Sequence, residues 1–187
     1  MPGGVEFTGR WVTYCAICDG PVFSGKMAAV VEGNSALEEA LEIVKIAEHV
    51  DLVSLTPLTG DAILIDKLSD AKNLTIFTEY QTEKIEGQDF ASGMLIRDLK
   101  TGESKRLNVT GIFIEIGLVP NSEPVSGLLE LNKWGEVPVS CACETTVPGL
   151  YAAGDVTDVP EKQIVVAAGE GAKAALQAQR YLQRLVT

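Results

Sequence analysis

The spacing of apolar positions between residues 27 and 55 predicts a β-α-β unit. Residues 27–31 and 50–55 are short apolar runs of the kind found in buried parallel strands. Between them, residues 35–48 carry apolar side chains at helical spacing, with acidic residues near the start, where the helix dipole favours negative charge. Because strand, helix and strand follow one another directly, we expect parallel strands joined by a right-handed crossover.

Further along the chain, the pattern changes from helical spacing to short alternating strands. We expect a helix at residues 61–70 and buried strands at residues 74–77 and 112–116. Between those two strands lies an antiparallel insertion with a hairpin turn at Gly102. Its three strands are expected at residues 82–86, 93–98 and 104–109.

The regular pattern breaks at residues 117–121, and we place a domain boundary there, between residues 1–117 and residues 118–187. The first part is predicted to be a nucleotide-binding-like domain. The fold class is α/β: a Rossmann-like, three-layer fold with a parallel sheet, crossover helices and an antiparallel β insertion.

The second part is predicted to contain one strand and one long helix. The strand, at residues 150–153, ends at Gly154 and Asp155, which taken alone fit an ordinary turn with an acidic cap. The helix is expected at about residues 165–185.

Charge and hydropathy exclude two classes of partner. The net charge is -11, from 15 basic and 26 acidic residues, and phosphate backbones are bound mainly by Lys and Arg, so we expect no nucleic-acid partner. No apolar run reaches the ~18 residues of a membrane helix, and the N-terminus lacks the pattern of a secretory signal. We therefore expect a cytoplasmic protein without a membrane partner.

The cysteine spacing is the strongest chemical signal in the chain. Cys15 and Cys18 have the C-x-x-C spacing that in an α/β protein of the cytosol indicates redox chemistry, and Asp19 is placed to move a proton to or from a departing thiolate. One alternative is a zinc site completed by Cys141 and Cys143, although a C-x-C pair fits zinc poorly. The other alternative is inert thiols. We expect no metal, and we treat Cys141 and Cys143 as non-catalytic, with a reactive surface pair as the minor alternative.

Three aromatic residues are interpreted structurally. His49, the only histidine, is expected at the surface as the C-cap of the helix before the second strand. Trp11 and Trp134 have no aromatic neighbours at useful spacing and are interpreted as packing residues.

Several motifs, taken together and in their order along the chain, resemble those of the thioredoxin reductases. They also resemble those of the flavoprotein reductases that serve alkyl hydroperoxide reductase. The resemblance covers essentially the whole chain. It rests on Tyr14 to Gly20, Lys26, Gly33 to Ala36, residues 111–121, Cys143 to Thr145, residues 147–155, residues 159–164 and residues 168–172.

The resemblance implies a disulfide oxidoreductase that uses FAD and NADH or NADPH and acts on a disulfide-containing, thioredoxin-like protein. Cys18 would face the flavin, Cys15 would attack the partner disulfide, and Asp19 would act as the acid. Gly154 and Asp155 would hold a flavin ribityl or pyrophosphate group. The isoalloxazine ring would lie under the residues at the start of the last helix, Lys162, Gln163 and Ile164.

The nicotinamide cofactor would bind at the turn formed by Gly33, Asn34, Ser35 and Ala36, after the first strand. This motif departs from the usual dinucleotide-binding fingerprint at two points. It is one residue short, and Glu32 stands where an early glycine is expected, so that a carboxylate would lie beside the pyrophosphate. The loop at residues 54–60 has neither the acidic residue that binds the ribose of NAD nor the arginines that bind the 2'-phosphate of NADP.

The resemblance also implies that residues 118–187 are the C-terminal part of a discontinuous flavin domain whose N-terminal part is missing from this chain. We expect the apolar surface of the last helix to be partly bare, and association as a homodimer through it. The alternative function is a non-catalytic remnant, an assembly module that keeps the fold and has lost nucleotide binding.

Overall fold

The structure, a computed structural model, describes residues 1–32 and 37–185, and of Glu32 only the backbone. The chain packs as two compact units, Met1–Gly117 and Leu118–Thr187. Within the described ranges, no helix combines the length and the hydropathy needed to cross a bilayer.

The first unit is built on a five-stranded parallel sheet. Its strands are β1 (Val12–Thr13), β2 (Met27–Glu32), β3 (His49–Ser54), β4 (Leu74–Thr78) and β8 (Gly111–Glu115). The spatial order is β1-β8-β2-β3-β4, and every neighbouring pair is parallel. The expected parallel strands are confirmed. The strand β1 was not predicted, because two residues at a sheet edge are too few to show a period.

In the described part of this unit, three α-helices accompany the sheet: α1 (Ala16–Asp19), α2 (Leu37–Val44) and α3 (Ala62–Ser69). The helix α2 ends four residues before its expected end at residue 48. Ala47 and Ile46 still pack on the core after the helix has ended, so the apolar spacing continues where the helical backbone does not. The helix α3 is confirmed, with Asp61 as its N-cap, since the Asp61 carboxylate accepts the N–H of Ile63 at 2.9 Å.

The expectation for His49 is wrong. It is the first residue of β3 rather than a helix C-cap, and it is paired with Met27 of β2. Its Nε2 lies 3.0 Å from the Thr75 hydroxyl and 3.5 Å from the Asp51 carboxylate. The early end of α2 leaves His49 within the sheet, where its side chain finds polar partners on β3 and β4.

The antiparallel insertion is confirmed as a three-stranded sheet of β5 (Tyr80–Gly87), β6 (Ala91–Asp98) and β7 (Ser104–Leu107). Gly102 lies in the turn between β6 and β7, with a φ of 77°, and its N–H donates to the Asp98 carbonyl at 2.9 Å. A left-handed backbone at this position favours glycine.

Alternate side chains of the parallel sheet enter two separate cores, which makes the unit three-layered. One face packs with the insertion, through buried residues such as Val31, Val53, Ile112, Met94 and Ile96. The other face packs with the helices, through buried residues such as Val30, Leu52, Phe113, Ile43 and Leu68. Gly111 is required at the second face, because a Cβ there would lie 2.4 Å from the Phe23 ring.

The second unit consists of turns, 3-10 segments and one long helix, α4 (Ile164–Leu185). The strand expected at residues 150–153 is wrong: Tyr151 forms only an isolated bridge with Glu144. Among the described residues, no strand pairs with this apolar segment beyond that bridge. The packing role expected for Trp134 is also wrong, because its side chain is 66% exposed and meets Lys133 instead of a core.

Candidate redox site and nucleotide-binding edge

Cys15 and Cys18 form a disulfide at the start of α1, with their Cα atoms 5.3 Å apart. Cys15 has an extended backbone and is the N-cap of the helix, and its Sγ accepts the N–H of Cys18 at 3.1 Å. Cys15 is half-buried and Cys18 is exposed. An N-cap sulfur already aligned with a backbone N–H is well placed to be stabilised as a thiolate after reduction.

Thr13 connects this disulfide to Asp19. The Thr13 hydroxyl donates a hydrogen bond to the Asp19 carboxylate and accepts the N–H of Cys15 at 3.4 Å. Thr13 is buried at the end of β1, so it holds the carboxylate of Asp19 at a fixed place beside the cysteine loop. The sequence analysis did not single out Thr13. Its position two residues before Cys15 is the only signal that points to it.

An aromatic cluster supports the cysteine loop. The Phe23 ring packs edge-on against Trp11 and Phe113, with centroids 5.4 and 5.2 Å apart, and the Lys26 ammonium lies 4.6 Å from the Trp11 centroid. The packing role expected for Trp11 is confirmed. Its aromatic partners are distant in sequence, which is why local spacing did not reveal them.

A pair of acidic side chains lies at the carboxyl end of β8, where the sequence analysis expected only an apolar strand. The backbone N–H of Ala16 lies near the Glu115 carboxylate and favours its charged form. One oxygen of Glu115 and one of Glu39 are buried without a hydrogen-bond partner. Burial, and then the nearby charge of Glu39, raise the pKa of Glu115 to about 7. An acid within the apolar run of residues 112–116 was the available signal for this pair.

The predicted dinucleotide fingerprint, Gly33, Asn34, Ser35 and Ala36, lies outside the described residues. Among the described residues, the carboxyl ends of the parallel strands border an open cleft of about 590 Å³. Such a position is where open α/β sheets bind ligands. The described lining is mainly apolar, with Glu83 as its charged side chain, and consists of Met1, Pro2, Val31, Val53, Leu55, Tyr80, Gln81, Thr82, Glu83 and Ile116.

Two of the predicted flavin residues, Gly154 and Asp155, begin a 3-10 turn in the second unit. Gly154 has a φ of 76°, its N–H donates to the buried carboxylate of Glu170 at 3.0 Å, and a Cβ there would lie 3.0 Å from that of Ala167. Glycine is therefore needed both for its backbone conformation and for its fit against α4. Asp155 is exposed and lines a groove of about 320 Å³.

The other three predicted flavin residues, Lys162, Gln163 and Ile164, lie at the start of α4. Lys162 lines the same groove as Asp155, and its ammonium is 2.9 Å from the Glu136 carboxylate. The hydrogen bond from Lys162 holds the pKa of Glu136 below its usual value. Gln163 is half-buried, and its carbonyl accepts the N–H of Ala167, whereas Ile164 is 84% exposed. The structure thus brings together Asp155 and Lys162, and it engages the Lys162 ammonium in an ion pair.

The second cysteine pair is separated by burial. Cys141 is exposed in a turn, whereas Cys143 is buried, with its Sγ 3.6 Å from the Glu170 carbonyl. The described part of the chain contains no group of three side chains placed to hold a metal ion. Since Cys15 and Cys18 are joined to each other, the oxidised protein does not present the four thiolates that the zinc alternative requires.

A three-layer nucleotide-binding-like fold with a disulfide at the sheet edge defines the class of Rossmann-like disulfide oxidoreductases. The profile of the pyridine nucleotide-disulphide oxidoreductase family matches residues 1–171, and the chain belongs to this family. The resemblance inferred from the motifs is thereby confirmed.

Individual relatives agree with this assignment. The chain is 43% identical to the alkyl hydroperoxide reductase F subunit of Escherichia coli, with 100% of this chain and 36% of that protein covered. It is 42% identical to a Bacillus subtilis protein named NADH dehydrogenase, with 98% and 36% covered. The solved thioredoxin reductase of Streptococcus pyogenes superposes with a TM-score of 0.91 at 32% identity, with 98% of this chain and 61% of that chain covered. The chain therefore spans about a third of the curated relatives.

Proposed function

We propose that Cys15 and Cys18 are the redox centre of a disulfide reductase of the thioredoxin-reductase type. Electrons would come from NADH or NADPH through FAD and would pass to the disulfide of a thioredoxin-like protein. The observation that carries the proposal is the Cys15–Cys18 disulfide at the N-cap of α1, with Asp19 anchored beside it by Thr13. The family assignment supports the same chemistry.

In this proposal, the two cysteines have different roles. The Cys15 thiol gives its proton to Asp19, and the Cys15 thiolate attacks a sulfur of the partner disulfide, which forms a mixed disulfide and releases one partner thiolate. Asp19 then passes the proton to this thiolate. The Cys18 thiolate then attacks Cys15 Sγ, which restores the Cys15–Cys18 disulfide and releases the second partner thiolate. Cys15 is assigned as the attacking residue because the N–H of Cys18 is aligned with its Sγ.

The second unit fits FAD in part. Asp155 is exposed in the groove and free of the ion pair that occupies Lys162, so its carboxylate can accept hydrogen bonds from ribityl hydroxyls. The groove of about 320 Å³ is at the small end of ligand sites and holds less than a whole dinucleotide. FAD, when bound, would supply the two electrons that reduce the disulfide, and the rest of its binding site would come from outside this unit.

The cleft of the first unit fits the apolar part of a nicotinamide nucleotide better than its phosphates. No Lys or Arg is present among its described lining residues, and Glu115 and Glu39 add negative charge at the same sheet edge. The hydroxyl of Thr82, a lining residue, is buried without a partner and can bond to a ligand. We therefore expect weak binding of NADH or NADPH by this chain alone.

The proposed roles can be tested by trapping the mixed disulfide. Cys18→Ser leaves Cys15 as the attacking thiol and removes the thiol that resolves the intermediate. We expect this variant to form a covalent adduct with a thioredoxin whose active-site disulfide is intact. Cys15→Ser is expected to form little adduct. The adduct is measured by non-reducing electrophoresis and mass spectrometry.

Cys141→Ser, added to the Cys18→Ser variant, controls for the other exposed thiol and is expected to leave the yield of adduct unchanged. A higher yield with Cys15→Ser than with Cys18→Ser would reverse the assigned roles. No adduct with either variant, together with no disulfide reduction by the dithiol form of the chain, would exclude the reductase function.

The second candidate function is a non-catalytic assembly module. It is favoured by the loop after β3, residues 55–60, which has no acid or arginine to bind a nucleotide ribose or its phosphate. Calorimetric titration distinguishes the two functions. Measurable binding of NADH or NADPH, even at submillimolar affinity, argues for the reductase, and no measurable heat up to millimolar nucleotide argues for the module.

We also propose a homodimer through the exposed apolar side of α4. Ile164 and Val165, in its first turn, are 84% and 78% exposed, and Leu176, Leu182 and Leu185 are each more than half exposed. Large exposed apolar patches are typical of interaction surfaces. Light scattering at micromolar protein is expected to show a dimer. The double variant Ile164→Asp and Val165→Asp is expected to be monomeric, and an unchanged mass would argue against this surface.

A further inference from the structure

The end of β8 places a carboxyl group at the first turn of the helix that carries the disulfide. The Glu115 carboxylate lies near the N–H of Ala16, the residue that directly follows Cys15. The parallel register of β1 and β8 pairs Thr13 with Phe113, so Cys15 and Glu115 each follow this pair by two residues. The N–H of Cys18, in the same turn, points to the Sγ of Cys15. Glu115 and the Sγ of Cys15 therefore lie at the same helical turn.

We propose that Glu115 is a positioning residue for the Cys15–Cys18 disulfide and that its carboxyl takes up a proton when the disulfide is reduced. The inference rests on the proposed redox role of the two cysteines. It adds a group outside the C-x-x-C motif that links their reduction to pH.

The surroundings of Glu115 make its charge costly. One of its oxygens is buried without a hydrogen-bond partner, and the nearby Glu39 of α2 also has a buried oxygen without one. Asp19 of α1 is engaged with Thr13 of β1, and the Cα partner of Glu115 on β2 is Glu32, whose side chain lies outside the described structure. Burial and Glu39 raise the pKa of Glu115 to about 7, against the opposing effect of the Ala16 N–H.

Reduction adds a second negative group at the same turn. A dithiol reductant breaks the Sγ–Sγ bond and becomes a disulfide itself, and two electrons and two protons pass to Cys15 and Cys18. When the Cys15 thiol then loses its proton, its thiolate shares the turn with the Glu115 carboxylate. Because like charges disfavour each other, Glu115 binds a proton more tightly in the reduced protein than in the oxidised protein.

The test is the equilibrium between the chain and dithiothreitol, measured from pH 5.5 to 8.5 for the wild type and for Glu115→Gln. At pH 5.5 Glu115 is protonated, and the two proteins are expected to have the same equilibrium constant. At pH 8.5 Glu115→Gln is expected to be about 3- to 10-fold easier to reduce, and tenfold corresponds to ~30 mV for a two-electron couple. Glu39→Gln is expected to move the onset of this difference to lower pH.

Glu38→Gln is the matched control, because it removes the same charge from the same turn of α2 at an exposed position. It is expected to follow the wild-type curve. Equal constants for wild type and Glu115→Gln at every pH, or a difference of constant size across the range, would overturn the proposal.

A second measurement does not depend on whether the variants fold. Carbon-detected NMR titration of the Glu115 carboxyl in the unmodified chain is expected to give a higher pKa after reduction, and the same pKa in both states would refute the coupling. Neither experiment uses flavin, nicotinamide or a protein partner. Failure of the proposed electron relay would therefore leave the coupling between Glu115 and the disulfide intact. Failure of this coupling would likewise leave the proposed relay intact.

Discussion

The two units of the chain differ in how they bury apolar side chains. In the first unit, both faces of the parallel sheet are covered, one by the insertion and the other by helices, and residues such as Phe113 and Leu52 are fully buried. In the described part of the second unit, the buried apolar residues are Leu129, Val137 and Cys143. Its long helix α4 buries only Glu170.

The second unit instead has many local hydrogen bonds between side chains and backbone. Asn132 accepts the N–H groups of Trp134 and Glu136, and the Ser140 hydroxyl accepts those of Ala142 and Glu144. Such bonds fix turns without removing much apolar surface from water. The contrast indicates that the first unit has a core of its own, and we expect the order of the second unit to depend on covering the apolar side of α4.

The largest expected effect comes from separating the units. A chain of residues 1–117 is expected to fold alone and to show one cooperative urea transition by circular dichroism. A chain of residues 118–187 is expected to show no cooperative transition, because its buried apolar area is too small to offset the chain entropy. A sharp transition in residues 118–187 alone would remove the contrast.

Matched leucine truncations compare the two cores within the intact chain. Leu52→Ala in the first unit is expected to lower the free energy of unfolding by about 3–5 kcal/mol, as in well-packed cores. Leu129→Ala in the second unit is expected to cost less than about 2 kcal/mol, because fewer buried apolar side chains surround Leu129 than surround Leu52.

The chain has two tryptophans, one in each unit, so Trp134→Phe leaves Trp11 to report on the first unit, and Trp11→Phe leaves Trp134 to report on the second. Urea titrations of tryptophan fluorescence then measure each truncation separately. Equal costs for Leu52→Ala and Leu129→Ala would contradict the comparison.

Two glycine substitutions compare packing density directly. Gly111→Ala places a Cβ 2.4 Å from the ring of the buried Phe23 and is expected to destabilise the first unit by about 1–3 kcal/mol. Gly127→Ala, in the second unit, meets nothing within 4 Å and is expected to change stability by less than about 0.5 kcal/mol. Thermal unfolding of both variants against the wild type measures the difference, and a neutral Gly111→Ala would show that the core can repack.

The smallest expected effect is a pH dependence that belongs to the first unit. Because the pKa of Glu115 is raised from 4.5 to about 7, folded protein binds more protons than unfolded protein between these values. Stability therefore falls as pH rises from about 4.5 to about 7, by about 1–2 kcal/mol after allowance for solvent screening of the partly exposed carboxyl.

Glu115→Gln is expected to remove this part of the pH dependence. The difference between the two proteins, measured by urea midpoint at pH 4.5 and pH 7.5, also cancels the contribution of Asp51, whose pKa burial raises as well. An unchanged slope in Glu115→Gln would show that Glu115 is ionised in the folded protein over the whole range.

The sequence predicted the elements that have strong periods. The parallel strands, the insertion with its turn at Gly102 and the helices α3 and α4 follow from runs and alternation that are local in the chain. The cysteine pair that forms the disulfide was found for the same reason, since Cys15 and Cys18 are three residues apart. These features depend on neighbours in sequence, and so a single sequence reveals them.

What the sequence did not predict depends on contacts between distant residues. Glu115 meets Glu39 and Ala16 because three elements converge at one sheet edge, and Thr13 is buried in β1, which joins the sheet through β8. The strand at residues 150–153 was predicted but is not formed, because an apolar run has strand structure only when another strand lies beside it.

The strand order of the first unit has a consequence for how the chain folds as it is synthesised. The strands β2, β3 and β4 are neighbours in sequence and in the sheet, so they can pair early. The strand β8, which lies between β1 and β2, is completed only about 100 residues after β1. Until then β1 has no partner strand, and the Cys15–Cys18 ring, which spans four residues, can close without waiting for it. Docking of β8 is thus the late, long-range step, and the same step brings Glu115 to the cysteine loop.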